Sequence, residues 1–208
     1  LRLPLESFIK ATLFGQFCGG ESIDDCRSTI DRLSRSGIGT ILDYSVEGRS
    51  EEAGLDDTQA EVLRTIEEAK HNSAIPFAVF KVTGVVRFGL LEKPKPGPEW
   101  DRAVARLEGI ALAAQKAGVP VLVDAEETWI QDTIDRLVEG LMARFNRERA
   151  LIFTTVQMYR TDRIAYLSRL LEDAKTQGFH LGLKVVRGAY LEKERARAEE
   201  NFVPSPVH

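Results

Sequence analysis

Residues 118–135 read GVPVLVDAEETWIQDTID, and the order of residue types within them decides the fold class. Gly118 stands where a helix stops, and Val121, Leu122 and Val123 form a continuous apolar run of strand-forming residues. Asp124 breaks that run, and from Thr128 onward the apolar residues return at helical spacing. An uninterrupted apolar run suits a strand buried on both faces of a parallel sheet. A strand passing directly into a helix is the βα unit of such a sheet.

The same pattern recurs on both sides. Strand-like runs are predicted at 38–45 (IGTILDYS), 77–83 (FAVFKVT), 120–125 (PVLVDA), 151–157 (LIFTTVQ) and 181–187 (LGLKVVR). Helical periodicity covers roughly 51–71, 99–117, 128–146 and 161–177. In 101–115, for example, Val104, Leu107, Ile110, Leu112 and Ala113 fall largely on one stripe. Gly37 and Gly178, like Gly118, precede strands and read as helix stops. The Pro/Gly cluster at 94–98 reads as a stiff loop before a helix, and residues 1–36 as a helical lead-in. Residues 37–208 then hold five βα units. A closed (βα)8 barrel needs eight strands and about 250 residues. A doubly wound open sheet of five strands suits the same periodicity, so the pattern alone leaves both architectures open.

Composition narrows the function classes. With 43% hydrophobic and 29% charged residues in 208, this is the make-up of an ordinary folded protein. The net charge is −4 with both signs mixed along the chain, and no basic stripe suggests a nucleic-acid partner. Cys18 and Cys26 have no second pair, and His71, His180 and His208 are scattered, so neither a disulfide framework nor a metal site is expected. No apolar run reaches the ~20 residues that span a bilayer. There is no G-x-G-x-x-G after a strand, and Gly15, Gly19 and Gly20 lack a strand–turn–helix setting. The start at Leu1, in mid-pattern and without Met, reads as a trimmed beginning.

The polar residues favour the barrel. Asp43, Lys81, Asp124 and Gln157 each stand near the C-terminal end of an apolar strand, and the fifth strand carries Lys184 and Arg187. Each alone has a plain explanation, such as a helix cap for an aspartate or a snorkelling lysine. A buried charge is costly unless paired, so its recurrence in strand after strand is not a packing effect. In a parallel barrel these ends gather around one mouth. Lysines and aspartates there suit a zwitterion, whose carboxylate needs cations and whose amine needs an acceptor.

At these residues the chain resembles the proline dehydrogenase family, flavoenzymes with a distorted (βα)8 TIM-like barrel that oxidise L-proline to Δ1-pyrroline-5-carboxylate. The blocks that carry the resemblance are LDYSVEG (42–48), AVFKVTG (78–84), VLVDAEETWIQDTID (121–135), RFNRERALIFTTVQMYRTD (144–162) and GLKVVRGAYLEKERARA (182–198), in family order. The resemblance implies an α/β fold of which residues 1–208 are the N-terminal part of one barrel, with FAD as cofactor. It implies that Lys81 and Tyr190 line the substrate pocket and that Asp124 pairs with Lys81. Ala125, Gln157, Arg187, Gly188 and Ala189 would contact the flavin, with Lys184 near its N5 edge. Lysine at 184, where many bacterial members carry arginine, resembles the mitochondrial branch and a related bacterial one.

The resemblance further implies a quinone as electron acceptor and contact with a membrane surface. The expected location is a bacterial cytoplasm or the mitochondrial matrix, peripheral to the inner membrane. The family's later strands and the paired arginines of its last helix have no counterpart in these 208 residues. That leaves three further readings: a hydroxyproline dehydrogenase, a half-barrel inactive without a C-terminal half or homo-oligomeric partner, and an aldolase-like barrel with Lys81 or Lys184 as Schiff-base nucleophile.

Overall fold

The computed structural model describes residues 18–44 and 50–208. Residues 1–17 of the expected lead-in, with Gly15, and residues 45–48 of the first family block lie outside the described residues. The chain opens with α1 (Ile23–Ser34), whose first turn is capped by the Ser22 hydroxyl accepting from the Asp25 N–H. Then follow β1 (Ile41–Asp43), α2 (Glu52–His71), β2 (Phe77–Lys81), a 3-10 turn (Val82–Gly84) and a short α3 (Phe88–Glu92). The next elements are α4 (Pro98–Ala117), β3 (Val121–Asp124), α5 (Thr128–Phe145) and β4 (Ile152–Gln157). Last come α6 (Arg163–Gln177), β5 (Leu183–Val186) and α7 (Leu191–Glu200). Gly37, Gly118 and Gly178 adopt φ of 72°, 70° and 69°, the left-handed conformation that ends a helix without a Cβ penalty.

Five parallel strands lie in the order β1-β2-β3-β4-β5. A doubly wound sheet reverses its strand order at a switch point; here each strand adds beside its predecessor, as in a barrel wall. Helices α2, α4 and α5 pack as neighbours over one face. Side chains alternate along each strand. Leu42, Ala78, Phe80, Val121, Val123, Ile152 and Val156 face those helices and join the main core with Ile66, Ile110, Ile134 and Met142. Fully burying each of the larger of these side chains stabilises the fold by ~1.5–3 kcal/mol. The intervening residues face the other way, where the rings of Phe77 and Phe153 meet edge to face at 5.6 Å.

All five predicted strands are present but shorter, most of all the first, which pairs only over Ile41–Asp43. Two helices escaped the periodicity. The sequence of α3, FGLLE, is too short to show a period. In α7, LEKERARAEE, the buried residues are Glu194 and Ala198, so it has no apolar stripe to detect. Buried Asn146, 0% exposed, ties the entry of β4 to its neighbours. Its amide donates to the carbonyls of Ile152 and His180 and accepts from the N–H groups of Leu151 and Ile152. Among the described residues no helix is long and apolar enough to cross a membrane.

Candidate active site

Parallel register brings the strand-end residues into tiers. Lys81 is the ladder partner of Asp124 and Thr155 that of Lys184, while Val123 pairs with Thr154. Lys81, Asp124, Thr155 and Lys184 therefore stand side by side on the face turned away from the helices. Asp43 shares that face one tier lower, beside Val79, and Gln157 one tier higher, beside Val186. Arg187 follows the strand and is exposed.

The charges pair differently from the expectation. Asp124 forms its ion pair with Lys184, two strands away, and not with its ladder partner Lys81. The side chain between them explains the reach. Thr155 is short, and its hydroxyl turns back to donate to the Val123 carbonyl at 2.8 Å, leaving space for the lysine to pass over it. Lys81 Nζ lies 3.5 Å from the Tyr190 hydroxyl, a link across 109 residues that joins two expected pocket residues.

Above this tier the loops are tied together by Gln157, which is 3% exposed. Its Nε2 donates to the Glu126 carbonyl at 2.8 Å and its Oε1 accepts from the Ala189 N–H at 3.2 Å. One N–H and one lone pair of the amide remain beyond these two bonds. Ala125, 9% exposed, lies between Asp124 and this tie. Gly188 has φ of 139°, and a Cβ there would fall 2.5 Å from the Tyr159 ring. The turn at 187–190 is thus pressed onto an aromatic floor that only glycine allows.

Glu126 was not singled out in the sequence. It is 2% exposed, and its carboxyl accepts from the Thr83 N–H at 3.0 Å and the Thr83 hydroxyl at 2.5 Å. Its own N–H donates to Gln131, which reaches Asp135 and through it Arg163, a buried polar chain running back to α6. Asp124, Glu126 and Glu127 are three acidic residues between an apolar strand run and a helix, and nothing local reveals that Glu126 is buried. Glu194, also unassigned, is 1% exposed. Among the described residues no group of three His, Cys, Asp or Glu could hold a metal ion.

Burial pushes the Glu126 carboxyl up to about 7, against the hydrogen bonds from Thr83 and nearby Lys81, which favour the charged form; Glu127 adds to the rise. Between pH 4.5 and 7 the folded protein holds this proton and the unfolded chain does not. The group's contribution to stability is therefore full below 4.5 and is lost as pH rises to 7, a change of ~3 kcal/mol. Glu126→Gln removes that titration. In chemical denaturation from pH 5 to 8, the variant is expected to gain ~1–3 kcal/mol relative to the parent, all of it above pH 5. A constant difference across that range would show that the carboxyl does not titrate there.

Consecutive parallel βα units with ionisable side chains gathered at the strand C-termini define the wall and mouth of a TIM-like barrel, an architecture whose active sites are built at that end. A model of the family described as proline dehydrogenase matches residues 26–208, and the chain belongs to that family. It is 37% identical over 187 residues to the carbapenem antibiotics biosynthesis protein CarD of Pectobacterium carotovorum, covering 86% of this chain and 50% of that protein. It is 30% identical over 256 residues to mitochondrial proline dehydrogenase 1 of Dictyostelium discoideum, covering 100% of this chain and 44% of that one. The chain thus spans about half the length of these curated relatives. Proline utilization A from Bdellovibrio bacteriovorus, solved after inactivation by N-propargylglycine, has the same fold. Its TM-score is 0.83 at 19% identity, over 98% of this chain and 23% of that one.

Proposed function

We propose that this chain carries the cofactor side of a site that oxidises L-proline to Δ1-pyrroline-5-carboxylate with FAD as acceptor. The observation that supports it best is the tier of Lys81, Asp124 and Lys184 at the strand ends, in a chain of the proline dehydrogenase family. The donor set fits a flavin: a lysine ammonium held by a carboxylate, a buried amide with one N–H to spare, and a glycine turn that lets backbone approach closely. Lys184, Gln157, Arg187, Gly188, Ala189 and Ala125 would hold it. When bound, the flavin supplies the acceptor for the C5 hydride of proline.

The chain's own residues set the stage for that transfer. Asp124 orients the Lys184 ammonium, which then donates to an electron-rich edge without reorganising. Lys81, linked to the Tyr190 hydroxyl, supplies positive charge for the substrate carboxylate. Residues 1–208 are the first part of a single barrel, whose remaining strands supply the rest of the carboxylate site. Electrons pass on to a quinone at a membrane surface, in a bacterial cytoplasm or the mitochondrial matrix.

Anaerobic titration of the purified protein with L-proline tests the reading: bleaching of a bound flavin spectrum supports it. Absence of flavin, or covalent trapping of a carbonyl substrate on Lys81 or Lys184 by borohydride, overturns it. One relative, 26% identical over 238 residues, is a hydroxyproline dehydrogenase of Xenopus laevis, so trans-4-hydroxyproline belongs in the same titration. Faster bleaching by that substrate would reassign the specificity.

A further inference from the structure

Helix α7 follows the turn at 187–190, and its sequence has no apolar stripe by which to dock. What holds it is polar. Both carboxylate oxygens of Glu194 accept from Thr128, one from its N–H at 2.7 Å and one from its hydroxyl at 2.6 Å. Thr128 is the first residue of α5, and the residue before it, Glu127, makes no side-chain cap of its own. The start of α5 is therefore capped by a carboxylate 66 residues away, where the helix dipole favours a negative charge. On either side of this contact Lys193 pairs with Glu127 at 2.9 Å, and the Arg197 guanidinium lies over the Trp129 ring at 4.3 Å. Three consecutive residues at the head of α5 are thus gripped by one face of α7.

Each of the two gripped helices follows a segment that borders the candidate site. The loop before α5, which follows Asp124 at the end of β3, holds Ala125 and Glu126; the turn before α7 holds Gly188, Ala189 and Tyr190. At the mouth they are bridged by Gln157, and behind it by Glu194. The outer pairs are partly solvated, Lys193 being 63% exposed, and contribute little. Glu194 is 1% exposed, and its two hydrogen bonds are charge-assisted. We infer that Glu194 is a positioning residue, which acts through Thr128 to fix the separation of the two loops that form the flavin side of the site. The inference rests on the proposed flavin reading for its meaning, but its geometry stands without a ligand.

Glu194→Ala and the milder Thr128→Val test it, with Lys175→Ala, which breaks an exposed pair within α6, as a surface control, each in the full-length protein. Peptide-level hydrogen exchange is the first readout, since it needs neither flavin nor proline. Segments 125–130 and 186–192 are expected to exchange about tenfold faster in Glu194→Ala and severalfold faster in Thr128→Val. Strand segments 77–81 and 152–157 should stay at the parent rate, and Lys175→Ala should move neither pair. Glu194→Gln keeps an acceptor for the Thr128 N–H and is expected to restore most of the protection. The visible circular dichroism of bound flavin should change with the two loosened variants and return in Glu194→Gln. Unchanged exchange in both loops would overturn the inference, as would a uniform rise over all strands, which would mark Glu194 as a general support of the fold. If Glu194→Ala fails to fold, Thr128→Val decides the matter by the same exchange pattern. Loosened loops in a protein that proline never bleaches would sink the flavin reading and leave the latch.

Discussion

Lys184→Met is expected to slow the reduction of bound flavin by L-proline by about 10²–10³-fold, the loss seen when one preorganised donor is removed from a site of developing charge. Two effects combine. The variant removes an ammonium that Asp124 already holds in place. It also leaves Asp124, whose side chain is 20% exposed, as a partly buried carboxylate without its cation. Asp124→Asn separates the two. It keeps Lys184 but releases its orientation, and about a tenfold slower reduction is expected, with the double variant well short of the product of the singles. Lys184→Arg retains the charge on a different fork and should fall between. Anaerobic stopped-flow reduction measures the four variants and the parent. A Lys184→Met rate within about threefold of the parent would remove this residue from the site.

Gly188→Ala should nearly abolish flavin binding and destabilise the protein by ~2–4 kcal/mol, because the backbone and the space both refuse a Cβ. The φ of 139° is one that alanine rarely adopts. The new methyl would also sit 2.5 Å from the Tyr159 ring, which is 7% exposed. The turn must swing away from Tyr159, and the Ala189 N–H then leaves Gln157. Gly140→Ala is the matched control. Gly140 lies in α5 with nothing within 4 Å of an added Cβ, so the change should add ~0.5–1 kcal/mol of stability. Flavin content per protein and the midpoint of thermal unfolding report both variants. Full flavin occupancy in Gly188→Ala would show that the turn does not shape the cofactor side.

Much of the architecture was legible because it follows from local chemistry. All five strands announce themselves as apolar runs, and the glycine stops at 37, 118 and 178 adopt the left-handed conformation expected of them. The polar residues that end the strands share one face, as a two-residue repeat in a parallel sheet requires. Other features had no local signal. The partner of Asp124 depended on Thr155 being short and turned to the Val123 carbonyl, a fact of register between three strands. α7 was invisible because its buried face is a glutamate and an alanine, and a hydrophobicity pattern cannot register a buried carboxylate.

By itself, then, the sequence determined the βα repeat, the family and the roster of ionisable residues at the strand ends, since each of these depends on neighbours within a few positions. Only the tertiary structure decided the sequential strand order in place of a reversal, the union of Asp124 with Lys184, and the burial of Glu126 and Glu194. These depend on groups brought together across 43 to 66 residues. Whether a charge there is solvated, paired or forced to share a proton is set by which distant donors arrive beside it, and no stretch of chain carries that information alone.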